Sequence, residues 1–198
     1  MATRHRTPSE DLEPAILAAA EALLEEDGPT ALSVRRIAER AGVAPMGLYS
    51  RFEGKYGVVD AVFKEGFAVL RSTIEGSGAI GDPLVAFRAA GRSYRSLALE
   101  HPARYQVMFL CAIPGYEPSD EAIETASAAF LALVAAVQRC LDASAFRPGD
   151  AVEIAQQVWS SCHGWVALEL GGINFVNDLD AGYARLLELL ELGLAERG

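Results

Sequence analysis

Apolar positions recur along this chain at spacings of three and four and almost nowhere at two, so the pattern predicts helices and no sheet. The first stripe, Ile16, Leu17, Ala20, Leu23 and Leu24, predicts a helix over 10–26 that stops at Asp27-Gly28-Pro29. Ser33 is placed to cap a short helix over 34–41 that ends at Gly42. Pro45 opens a third short helix, ending near Phe52-Glu53-Gly54, because the N–H that proline lacks has no partner in a first turn. A longer helix over 55–74 is broken by Gly76-Ser77-Gly78, and Asp82-Pro83 starts another that runs to His101-Pro102. A short apolar helix over 103–111 precedes the loop 113–118, and long helices follow over 119–142, 150–170 and 179–197. About nine helices with short links make an all-α fold, without internal repeats or low-complexity linkers.

Composition narrows the class. No apolar run approaches the roughly 20 residues of a membrane span, and the run 15–20 is flanked by Glu13 and Glu21. Arg4, His5 and Arg6 are not followed by a secretory apolar core, so the expected location is cytoplasmic, with no membrane partner. Cys111, Cys140 and Cys162 are scattered, with no CxxC and no histidine pair nearby, which fits reduced core thiols better than disulfides or a metal site. The net charge of -10 opposes nucleic-acid binding in bulk. Its distribution does not: between residues 33 and 55 five cations (Arg35, Arg36, Arg40, Arg51, Lys55) face two carboxylates (Glu39, Glu53), a local +3 on a remainder of -13.

That basic stretch coincides with the two short helices. Their length and the turn opening on Gly42 make a helix-turn-helix. Ile37, Ala38 and Leu48 are expected to face inward, with Ala38 small where the helices cross and Val43 filling the space behind the turn. Gly28, residues 30–34, Arg36-Ile37-Ala38, Ala41-Gly42-Val43, Gly47-Leu48-Tyr49, Phe52 and Lys55 together resemble the signature of the tetracycline-repressor (TetR) family's DNA-binding domain, without a gap over residues 16–63. The wording at Glu53-Gly54-Lys55-Tyr56-Gly57 departs from that signature, and Gly57 weakens the first turn of its helix.

The resemblance implies a DNA-binding domain over 1–54, an effector-binding and dimerisation domain over 55–198, and a homodimer on palindromic double-stranded operator DNA. It also implies roles residue by residue. Ser33, Tyr49 and Lys55 are similar to the family's phosphate-contacting positions, and Arg35 adds a cation beside them. Ala44, Pro45, Met46, Gly47, Ser50 and Arg51 occupy positions that look into the major groove. Arg51 suits a guanine or a phosphate, and Ala44 and Met46 suit thymine methyls. Arg4, His5 and Arg6 form either a DNA-reaching arm or a solvated tail.

Downstream, residues 158–170 resemble the Trp…His-Gly pattern of the subgroup whose ligand-binding domain is named for those letters, with 101–109 as its companion motif. Trp159 and His163, four apart, share a helix face. Gly164 within a helix suggests close approach of a neighbour. Apolar faces bearing Val158, Trp165 and Leu168, then Leu186, Leu187, Leu189, Leu190 and Leu194, are expected to pair two subunits. Phe67, Phe87, Tyr94, Tyr105, Phe109, Trp159 and His163 are the candidates to line a pocket for a small, largely apolar effector, with core packing as the plainer role of each. Such an effector would release a repressor from its operator. No cofactor or metal is implied. The competing classes are a helical interaction protein without DNA binding, and an enzyme. Ser160, Ser161 and His163 lie close together, but no nucleophile elbow, metal triad or phosphate-cradling loop accompanies them.

Overall fold

Several helices begin where the chain supplies a side-chain cap. In the computed structural model, which describes residues 12–110 and 113–195, the order is α1 (Leu12–Asp27), α2 (Val34–Ala41), α3 (Pro45–Phe52), α4 (Lys55–Ser77), α5 (Pro83–Glu100), α6 (Pro102–Phe109), α7 (Asp120–Asp142), α8 (Ala151–Leu170) and α9 (Leu179–Leu194). Among the described residues there is no strand. The Arg4-His5-Arg6 segment, Cys111, and the expected outer ends of the first and last helices lie outside the described residues.

Ser33 Oγ accepts from the Arg36 N–H at 3.3 Å and starts α2. Asp82, Asp150 and Asp178 do the same for α5, α8 and α9 at 2.8–3.1 Å. α4 extends past the expected stop at 74 to Ser77, and along its end the Thr73 and Ser77 hydroxyls donate back to the Val69 and Thr73 carbonyls at 2.8 and 3.1 Å. A 3-10 turn, Pro29–Ala31, follows α1; the Gly-Pro punctuation marks the break but not this turn.

The described chain forms two compact units. The first takes residues up to Phe67 together with His101–Thr125, and the second takes Ala68–Glu100 with the residues from Ala126 onward. α4 and α7 therefore each supply residues to both units.

In the first unit Ile16, Ala20, Leu23, Ile37, Ala38, Leu48, Val58 and Val62 are buried. α6 joins them by packing on α1. It also lies close over α4: a Cβ at Gly66 would stand 2.4 Å from Met108 Sδ. Arg104 on α6 donates to Glu21 on α1 at 2.7 Å. The second unit buries Phe87, Phe146, Val137, Ala155, Val158, Val166, Tyr183 and Leu187. There Arg95 of α5 grips Glu169 of α8 through two bonds of 2.8 and 2.6 Å and reaches Asp180 of α9 at 2.7 Å. Trp165 Nε1 donates to the same Glu169 at 3.0 Å. Cys140 and Cys162 are buried free thiols, and burial pushes Cys140 up to about 11 and Cys162 upward as well. No helix among the described residues is long and apolar enough to cross a membrane.

Two expectations are corrected. Gly164 meets no neighbour in its own chain, since a Cβ there would find nothing within 4 Å. The close approaches fall at Gly66, Gly91 and Gly182, where a Cβ would collide with Met108, Leu187 and Trp165. Val158, Leu187 and Leu194, expected to pair two subunits, are instead buried within their own chain: Leu187 is 1% exposed and packs on Gly91, while Leu189 and Leu192 of the same helix are 66% and 74% exposed. Helical periodicity located the stripe, but only the packing of α9 on α5 and α8 decides which edge is covered. Leu187→Ala should therefore cost about 2–5 kcal/mol of folding stability. Urea unfolding of that variant against wild type checks the value.

Candidate nucleic-acid interface

Three short pieces of chemistry set the geometry of α2 and α3. Gly42 adopts φ 68°, ψ 25°, the left-handed conformation that reverses the chain with little steric penalty for glycine. Its neighbour's N–H, on Val43, then donates to the Ala38 carbonyl at 2.9 Å. Ala44 turns extended and Pro45 enters the first turn of α3. α3 ends at Glu53, also left-handed at φ 56°.

The join to α4 explains Gly57. A Cβ there would fall 1.6 Å from the Phe52 carbonyl oxygen, and backbone cannot move aside. The residue read as a weak spot in the helix is thus required by the turn before it.

Leu48 is the only buried residue of α3. At about 100° of turn per residue, Met46 and Ser50 stand roughly opposite it, Tyr49 and Gly47 flank them, and Arg51 lies about 60° from Leu48. Met46, Tyr49 and Ser50 are exposed accordingly, and Arg51 is half-buried. Ser50 Oγ donates to the Gly47 carbonyl at 3.0 Å, so its hydrogen is committed within the helix. Ala44 and Pro45 are exposed at the head of α3. Lys55, at the first position of α4, holds its ammonium 4.8 Å from the Tyr56 ring centre. Arg35 is exposed on α2, and Ser33 spends one oxygen lone pair on its cap.

The charge of this surface differs from the count along the chain. Arg36 pairs with Asp27, and Arg40 takes Glu26 in a two-bond grip, one bond being 2.7 Å. Both carboxylates belong to the end of α1, outside the stretch that carries the local +3. With them counted, five cations face four carboxylates. The Arg40 pair holds the Glu26 carboxyl below its usual range, through the hydrogen bond first. Arg36 and Arg40 thus clamp α2 to α1, and exposed Arg35 and Lys55 at the head of α4 supply cationic reach to the surface.

The candidate effector residues fall into both units. In the first, Phe67 and Phe109 meet edge-on at 5.1 Å, Tyr105 and Phe109 at 5.1 Å, and Phe63 joins Phe67 at 4.8 Å. In the second, the Tyr94 hydroxyl meets His163 Nδ1 at 3.0 Å, and Trp159 stands between His163 (5.9 Å) and Phe130 (6.0 Å). Phe87 packs edge-on against Phe146 at 5.3 Å and is core. Burial holds the His163 imidazole below its usual 6.5. Ser160 Oγ accepts from Gln156 Nε2 at 3.2 Å. Phe63 was not among the candidates. Phe63 sits four residues from Phe67, a relation visible in sequence spacing, whereas Phe130 faces Trp159 from another helix, a relation that spacing does not show.

A three-helix head built around a glycine turn, with one short helix outward and polar groups at its flanks, defines a helix-turn-helix DNA-binding regulator. Comparison with known proteins gives the family. Residues 16–62 match bacterial regulatory proteins of the tetR family, and residues 87–190 match the tetracyclin repressor-like C-terminal domain. The chain belongs to the tetR family and is a transcriptional regulator of that family. It is 26% identical over 178 residues to an uncharacterized HTH-type transcriptional regulator of Mycobacterium tuberculosis, covering 88% of this chain and 77% of that one. Among solved structures it is similar to a Rhodococcus sp. RHA1 protein of unknown function, with TM-score 0.83, 28% identity, and 93% and 96% of the two chains covered. It is also similar to an Acinetobacter baumannii TetR variant in complex with minocycline, with TM-score 0.61, 25% identity, and 90% and 93% covered.

Two measurements check this geometry. In salt titrations of DNA binding, Lys55→Ala and Arg35→Ala should each flatten the log–log slope by about one per subunit, while Arg36→Ala and Arg40→Ala leave the slope nearly unchanged. For His163, the folded group binds its proton less readily than the unfolded one, so stability should fall as pH drops below 6.5. His163→Gln should remove that part of the pH dependence in unfolding curves collected between about pH 7.5 and 5.

Proposed function

We propose that the protein is a homodimeric, cytoplasmic repressor that binds a palindromic operator through residues 1–54 and is released by a small, largely apolar effector bound within residues 55–198. The observation that carries the DNA reading is the outward face of α3 set by Leu48, with Tyr49, Arg35 and Lys55 placed around it for phosphates. Ser33 has its hydroxyl hydrogen left to donate to a phosphate once its cap is made. Arg51 reads a guanine if its guanidinium reaches round the helix, and a phosphate if it does not.

Dimerisation is supported by apolar side chains that the single chain leaves in water. Leu168 on α8 and Leu189 and Leu192 on α9 are exposed, and one turn before Leu168 the missing side chain of Gly164 leaves α8 open to close approach. Two such helices from each subunit form a four-helix contact with the two-fold symmetry that a palindrome requires. Head-to-head half-sites then lie about 34–36 Å apart.

Effector release is supported by the composition of the first unit. α6 and the first turns of α7 are distant in sequence from the helix-turn-helix yet packed with it. Arg104 holds Glu21, and Asp60 of α4 accepts from Ser119 N–H (2.9 Å), Ser119 Oγ (2.8 Å) and Tyr116 OH (3.0 Å). Burial pushes the Asp60 carboxyl up, but these donors and Lys64 outweigh it and hold the group below its usual range. A ligand touching Tyr105 or Phe109 therefore acts on a segment bonded to both α1 and α4. It shifts the DNA-competent population by no more than its differential affinity, and a hundredfold change needs about 2.7 kcal/mol. That the similar Acinetobacter protein forms a complex with minocycline is in keeping with a small-molecule effector.

Leu189→Lys combined with Leu192→Lys should yield folded monomers that lose operator binding. Sedimentation and gel shift on the DNA upstream of the protein's own gene check both halves. A wild-type chain that sediments as a monomer at micromolar concentration in low and high salt overturns the dimer. Arg51→Ala should cost about 1–3 kcal/mol and relax preference at a single base position per half-site if Arg51 reads a base; an equal loss on all sequences assigns it to phosphate.

A further inference from the structure

We infer that Met46 is the principal base-reading side chain of this protein and that it reads the methyl group of a thymine in each half-site. The inference rests on the operator reading proposed above. Met46 is 75% exposed, the most exposed large apolar side chain between residues 12 and 110, on a helix whose one buried residue points the other way. A flexible thioether held in water at that position gains nothing for the fold.

Its neighbours on the outward face offer little competition. Ala44, Pro45 and Gly47 carry no hydrogen-bonding side chain. Ser50, one turn further on, has already given its hydrogen to the Gly47 carbonyl, so it presents only an acceptor. Arg51 lies on the flank nearer Leu48. In the major groove a thymine differs from the other bases by a protruding C5 methyl, which is read by apolar contact and not by a donor.

Gly47 makes the contact reachable. A Cβ there would meet nothing within 4 Å, so the surface beside Met46 is bare backbone. A glycine inside an eight-residue helix weakens it. The gain is that the head of α3 can sit deeper against the base edges, where the polarizable methionine tip closes over the methyl.

The test starts from a random duplex library selected at fixed salt with the full-length protein and with Met46→Ala. Each thymine of the enriched consensus is then replaced in turn by deoxyuridine, which removes the methyl alone. For wild type, one position per half-site should weaken binding about threefold to fivefold on losing its methyl, the effect of one buried methyl group. Met46→Ala, an exposed substitution that leaves the core intact, should bind the consensus more weakly by a similar factor and be insensitive to deoxyuridine at that position. The inference is overturned if no deoxyuridine weakens wild type, or if Met46→Ala keeps full sensitivity to the methyl. If wild type enriches no sequence at all, the operator reading itself fails, an outcome distinct from a consensus that ignores methyls.

Discussion

Leu48 carries the orientation of α3. An eight-residue helix is not stable by itself in water, so α3 exists because one side chain, fully buried beneath it, holds it to α1 and α2. That burial is worth about 1.5–3 kcal/mol. It also fixes a rotation: with Leu48 inward, Met46 and Ser50 have to point outward and Arg51 has to lie at the side. The Gly42 turn, the extended Ala44 and the proline at position 45 set the direction of the helix, and Leu48 sets its roll.

Electrostatics enter as a second constraint on the same piece. The chain is acidic overall, and the end of α1 brings Glu26 and Asp27 directly to Arg40 and Arg36. These exposed pairs add little stability each. Their effect is on reach, because Arg36 and Arg40 are turned inward onto protein. What remains is a small basic edge on an acidic body. Such a surface holds nonspecific DNA weakly and leaves sequence reading to a few contacts.

The first unit also contains a segment that no local pattern assigns to it. α6 crosses α4 over Gly66, and the loop that follows is drawn onto Asp60 by three hydrogen bonds. The close approach at Gly66 leaves no slack for α6 to slide, and Arg104 ties it to α1. A displacement of this segment thus has to be shared with the helices that support α3, which is the physical requirement for a ligand signal to reach DNA.

Helix positions, the glycine turn, the cap at Ser33, and the inward role of Ile37, Ala38 and Leu48 were all legible in the sequence. They depend on neighbours within four residues, where spacing and residue type decide the outcome. The tetR resemblance was legible for the same reason, since its signature is a local one. What the tertiary structure decided involves partners far apart in the chain. The pairing of Arg36 and Arg40 with α1, the collision that forces glycine at 57, the covering of Leu187 in place of Leu189, and the bare surroundings of Gly164 each depend on which helix lies alongside. A periodic stripe states that a face is apolar. Only the packed neighbour determines where that face ends, because burial is a property of two surfaces and the sequence of one helix describes one of them.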